Sequence, residues 1–146
     1  MHIKKMLRKD IIKHKIKQIE EILILIEENL PKNSEDFLHF GLAKDGIYKK
    51  IEFAIENMID VCSIINSDLA LGIPRDEDSI IDNLSKNKVI SHSLAEKIRE
   101  MKGFRNILVH RYGEINDEKA FEDIKKGLDD FVLFIKKIEK FLSGKK

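Results

Sequence analysis

Residues 121–142 read Phe-Glu-Asp-Ile-Lys-Lys-Gly-Leu-Asp-Asp-Phe-Val-Leu-Phe-Ile-Lys-Lys-Ile-Glu-Lys-Phe-Leu. Phe121, Ile124, Leu128, Phe131, Ile135, Ile138 and Leu142 recur at alternating three- and four-residue steps, the repeat of one helix face, with charged residues between them. Asn116 stands where an N-cap is needed. Phe134 and Phe141 widen the apolar face, leaving a second stripe for either the chain's own core or a second copy.

Working backwards, the same periodicity holds almost throughout. Ile12, Ile16, Ile19, Leu23, Ile26 and Leu30 mark a first helix, about Asp10 to Asn29, which Pro31 stops. Asn33 or Ser34 caps a second, and Ile47, Ile51, Ile55, Met58, Cys62 and Ile65 form its buried face. The spacing predicts one long helix from Ser34 to about Asp68, kinked if Gly41 or Gly46 intervenes. Leu71–Arg75 is a linker, with Asp76 or Asp78 capping a short helix near Glu77–Lys86. A fourth helix begins around Ser91–Ser93, where Ser93 and Glu96 have capping-box spacing. Long seams joined by short loops predict an all-α, up-and-down bundle of four to five helices in a single domain over residues 1–146.

With 146 residues the chain is long enough to bury roughly 68–70% of its unfolded surface. Its one cysteine, Cys62, cannot form an intrachain disulfide, and its N-terminus does not read as a secretory signal, so a reducing cytoplasm is expected. No stretch reaches the ~18–20 apolar residues of a membrane span. Charged residues are 36% of the chain, yet the net charge is only +1. Any nucleic acid must therefore be held by locally placed Lys and Arg, because long-range attraction is weak.

The fourth helix carries the chemistry. Its seam runs Leu94, Ile98, Met101, Arg105, Leu108, Tyr112, so an arginine occupies an aliphatic position. A guanidinium there has a carboxylate partner or lines a cleft, since burying it unpaired costs several kcal/mol. His110 falls about 140° around an ideal helix from Arg105, whereas Tyr112 lies within about 20° of it. For Arg105 and His110 to act on one phosphate, the helix must end or distort near His110, or a second subunit must take part. Gly113 makes an end there reasonable. Glu52, Glu56 and Asp60 share a ridge of the second helix, either as a solvated acidic face or with Asp60 or Glu56 pairing to Arg105 or His110. Histidine and cysteine spacing suggests no metal site, and no cofactor motif is present.

Arg105-Asn106-Ile107-Leu108-Val109-His110-Arg111-Tyr112 resembles the R-x-x-x-x-H-x-Y motif of HepT-type toxins of the HEPN ribonuclease superfamily. Ile51–Asp60 is similar to that family's second helix and Gly113–Asn116 to its turn into the last. The resemblance implies a homodimeric, metal-independent endoribonuclease of a toxin–antitoxin pair, cleaving RNA, with tRNA among the candidates, by 2′-hydroxyl attack to a cyclic phosphate. In that reading His110 is general base or acid and Arg105 the phosphate clamp. Asn106 orients phosphate or ribose, and Lys102 and Arg111 contact flanking phosphates. Tyr112 is the residue to which a minimal nucleotidyltransferase antitoxin adds AMP, blocking the cleft. The rival reading is a non-catalytic nucleotide-binding module or partner subunit of a nucleotidyltransferase.

Overall fold

The structure, a computed structural model, describes residues 6–144. The described residues form six α-helices: α1 (Lys9–Asn29), α2 (Ser34–Leu38), α3 (Leu42–Asp68), α4 (Glu77–Lys86), α5 (His92–His110) and α6 (Asp117–Ser143), with a 3₁₀ turn at Tyr112–Glu114. Helix α3 is the hub, packing against α1, α4 and α5, while α6 closes the bundle over α5, α1 and α2.

The expected second helix is two. Asn33 caps α2, its Oδ1 accepting the Asp36 amide at 2.8 Å. The chain then breaks at His39–Gly41, and Gly41 takes φ +65° and ψ −141°, backbone that a side chain disfavours. The break has a packing reason. It lets α2 bury Phe37 completely between the Tyr48 and Phe121 rings, each 5.5 Å away. Seam spacing within α3 could not reveal this, because Phe37 packs on a helix 84 residues further along the chain.

The remaining boundaries follow local capping chemistry. Asp76 and Ser79 close a reciprocal capping box on α4, with Asp76 Oδ1 accepting Ser79 N–H at 2.8 Å and Ser79 Oγ accepting Asp76 N–H at 3.1 Å. At α5 the cap is Ser91, whose Oγ accepts the Leu94 amide at 3.0 Å, and the Ser93–Glu96 box does not form because Glu96 pairs with Arg99 instead. Asn116 caps α6 through the Lys119 amide at 3.0 Å.

The core joins the predicted seams of α1, α3, α5 and α6. Phe134 is fully buried and Phe141 partly so, which assigns the broad face of α6 to the chain's own interior. Among the apolar residues left exposed are Ile24 and Leu25 on α1 and Val132 and Leu133 on α6. Burial pushes the Cys62 thiol up to about 12, so it packs as a small apolar group. No helix among the described residues is long and apolar enough to cross a membrane.

Candidate active site at the end of α5

Helix α5 stops at His110. The Arg111 amide still donates to Ile107 O at 2.9 Å, but Arg111 itself leaves helical geometry at φ −139° and ψ 41°, and Tyr112 opens the 3₁₀ turn. The helix ends only after His110, so Arg105 and His110 keep their separation of about 140° around α5, Arg105 buried and His110 exposed. Tyr112, expected to continue the buried seam, swings off it and is 41% exposed.

Arg105 is 6% exposed and held on three sides. Its Nη1 donates to Glu56 of α3 at 2.7 Å, its Nη2 to Glu77 of α4, and its Nε to Asn106 Oδ1 at 3.0 Å. Burial works against the charged form, but the hydrogen bonds to Glu77 and Glu56 outweigh it and hold the guanidinium pKa above its ordinary value. Of the two ridge acids offered as partners, Glu56 and Asp60, Glu56 pairs with Arg105. Asp60 does not: it meets Lys15 of α1 at 3.2 Å, because its position one turn beyond Glu56 faces α1 rather than α5. Glu77 is the partner that sequence reading missed. It looked like part of a helix start, which it also is, and nothing local announces a contact 28 residues away.

Asn106 spends its carbonyl oxygen on Arg105, so it orients the guanidinium. Lys102 is not a free phosphate ligand, since its Nζ lies 2.9 Å from Asp78. His110 and Arg111 are both exposed. Arg111, but not Arg105, His110 or Tyr112, lines a cleft of about 470 Å³ between α3, α5 and α6, with Ile55, Phe104 and Ile107 in its wall and Lys119 and Lys126 as its other cations. Lys126 pairs with Glu100 at 2.6 Å and Lys119 with Asp123 at 3.2 Å, leaving Arg111 the least neutralised. No group of three or more His, Cys, Asp or Glu side chains able to hold a metal occurs among the described residues.

Tyr112 sits in its own polar arrangement. Its hydroxyl donates to Asp45 in the first turn of α3, and its ring meets Tyr48 edge-on at 5.8 Å. Tyr48 is 2% exposed and donates to Asp117 at 2.6 Å, which also accepts from Lys44 at 2.7 Å. Burial and then the Asp45 hydrogen bond raise the Tyr112 pKa, keeping the phenol protonated at neutral pH.

A helical bundle with Arg and His five residues apart at the end of a core helix, and a tyrosine just beyond, defines a HEPN-type protein. The chain belongs to the ribonuclease HepT-like family, whose model matches residues 10–138. It is 31% identical over 126 residues to an mRNA nuclease HepT of Shewanella oneidensis, covering 86% of this chain and 94% of that protein. A tRNA nuclease HepT of Aphanizomenon flos-aquae is 27% identical over 92 residues, 63% of each chain. Among solved structures, the tri-AMPylated Shewanella oneidensis HEPN toxin in complex with MNT antitoxin superposes with a TM-score of 0.83 at 29% identity, covering 90% of this chain and 98% of that one.

Proposed function

We propose that this chain is the toxin of a toxin–antitoxin pair, an endoribonuclease that works in the cytoplasm as a homodimer without a metal, and that AMP addition to Tyr112 by a nucleotidyltransferase antitoxin silences it. The observation that carries the reading is the placement of the Arg105, His110 and Tyr112 set. Arg105 is buried on the core face of α5, His110 is exposed as the last residue of that helix, and Tyr112 is exposed just beyond it.

RNA carries its nucleophile in the 2′-hydroxyl. His110, exposed at the helix end, takes that proton or delivers one to the leaving 5′-oxygen. Three of the five guanidinium N–H donors of Arg105 are used within the chain, leaving two for the charge that develops on the phosphorane oxygens. Glu56, Glu77 and Asn106 act as positioning groups that fix the plane of the guanidinium. Arg111 supplies an exposed charge for a flanking phosphate, and Lys102 does so only by releasing Asp78. Within one chain Arg105 and His110 lie on different sides of α5, which supports a site completed by a second copy. An AMP group on Tyr112 adds a negative charge and a nucleoside's bulk beside His110 and Arg111, where the RNA backbone must lie.

The test is cleavage of total RNA and of purified tRNA and mRNA by the isolated protein in the presence of EDTA, with end analysis of the fragments. The expected result is 2′,3′-cyclic phosphate ends, lost in His110→Ala and after AMP addition. Uncut RNA, or cutting unaffected by His110→Ala, overturns the ribonuclease assignment. The double neutralisation of Arg105 favours a second reading, in which the chain is a non-catalytic partner of the nucleotidyltransferase. AMP addition to Tyr112 in a protein inert toward every RNA is the result that selects it.

A further inference from the structure

We infer that Asp45 is a catalytic residue of the Tyr112 modification itself, supplied by the modified chain: it holds the phenolic hydroxyl in place and accepts its proton as the tyrosine attacks ATP. This rests on the reading that Tyr112 receives AMP. The geometry is specific to one of the two tyrosines in the chain. Tyr112 is 41% exposed and its hydroxyl donates directly to the Asp45 carboxylate, whereas Tyr48, in edge contact with it, is 2% exposed and committed to Asp117. Only Tyr112 can be reached by a nucleotide, and it is the tyrosine with a solvent-accessible carboxylate on its reacting atom.

The chemistry needs such a group. A protonated phenol is a poor nucleophile, and the surroundings of Tyr112 keep it protonated. In the transfer, Tyr112 Oη forms a bond to the α-phosphorus of ATP, the bond from that phosphorus to the bridging oxygen breaks, and pyrophosphate leaves. The phenolic proton passes to Asp45 as the new O–P bond drains charge from Oη, and from Asp45 to water. A carboxylate that accepts the hydroxyl proton of an attacking side chain is the usual arrangement in phosphoryl transfer to protein hydroxyls. Here it lies on the acceptor rather than on the transferring enzyme. The N-terminal turn of α3, on which Asp45 stands, offsets part of the negative charge that the α-phosphate brings, while Lys44 and Lys49 on the same helix are already paired with Asp117 and Glu52. Lys49 lines the hollow of about 290 Å³ beside Tyr112, together with Asp45, Tyr48 and Glu52.

The test is the rate of AMP incorporation from α-labelled ATP by the cognate nucleotidyltransferase, followed by intact mass, for wild type, Asp45→Asn, Asp45→Glu and Tyr112→Phe between pH 6 and about pH 9.5. Asp45 is exposed, so these variants retain the fold, checked by helical circular dichroism. Expected is a drop on the order of 10²-fold in the maximal rate for Asp45→Asn at neutral pH, with partial recovery in Asp45→Glu. The Asn variant should regain rate about tenfold per pH unit as solvent hydroxide replaces the carboxylate, while wild type stays nearly flat. Label entering Asp45→Asn at the wild-type rate, or a loss that is constant across pH, overturns the inference and leaves the modification of Tyr112 standing. Wild type that takes no label, or label retained in Tyr112→Phe, overturns both.

Discussion

Replacing Arg105 with alanine tests whether the guanidinium is a structural clamp as well as the proposed phosphate ligand. The arginine side chain is 8% exposed, and its two carboxylate partners, Glu56 and Glu77, are 42% and 38% exposed. Losing two buried methylenes costs about 1.6 kcal/mol at ~0.8 kcal/mol each. Each ion pair, half in water on the acidic side, contributes about 0.5–1 kcal/mol, because the freed carboxylates regain solvent. The sum is about 3 kcal/mol, which for a chain of this size lowers the midpoint of thermal unfolding by about 10 °C. Arg105→Lys keeps the stem and charge but reaches one carboxylate at a time, so it should lose only about 1 kcal/mol. Circular dichroism melts at 222 nm, with urea titrations of the same proteins, measure both. An alanine variant melting within about 2 °C of wild type refutes the clamp, and its loss of RNA cleavage is then purely chemical. If the clamp holds, Arg105→Lys is the cleaner probe of catalysis, since its inactivity is not explained by unfolding.

Phe37→Ala should destabilise by about 3–5 kcal/mol, because the ring is fully enclosed between Tyr48 and Phe121, and urea unfolding checks it. The Asp117 carboxyl is opposed by burial, but hydrogen bonds from Lys44 and Tyr48 prevail and hold its pKa below the ordinary 3.8. Its contribution is therefore present above pH 3.8 and is lost as pH falls through the folded-state value. Asp117→Asn should cost on the order of 1–2 kcal/mol at neutral pH and flatten that acid limb in urea titrations run from pH 7 to 2. Asp130 has the opposite sign. Burial beside the α5–α6 cleft raises its pKa, so the folded state loses stability as pH rises from the unfolded-state value through the folded one. Asp130→Asn should melt higher than wild type at pH 7, with the difference vanishing in acid.

Much of the fold was legible because helical periodicity is written locally. The seams through Ile12–Ile26, Ile47–Ile65, Leu94–Leu108 and Phe121–Leu142 are the core, and the caps at Asn33, Asp76 and Asn116 lie within three residues of the amides they satisfy. The motif residues were legible for the same reason, all lying within eight positions of one another. The break at Gly41 was not, since glycine permits left-handed backbone without requiring it, and what imposed it was the pocket for Phe37. Nor were the partners that aim the site. Glu77 on Arg105 and Asp45 on Tyr112 join residues 28 and 67 positions apart, and Lys15, which draws Asp60 away from Arg105, lies 45 positions from that aspartate.

The amino-acid sequence alone determined that the chain is helical, where its helices turn their apolar faces, and that an arginine, a histidine and a tyrosine cluster near the end of one of them. Tertiary structure alone decided which acids meet the arginine, which tyrosine faces water, and which aspartate holds its hydroxyl. Periodicity and capping act over one or two turns of backbone, whereas ion pairs and ring contacts form between whichever side chains the packing of separate helices brings within a few ångströms.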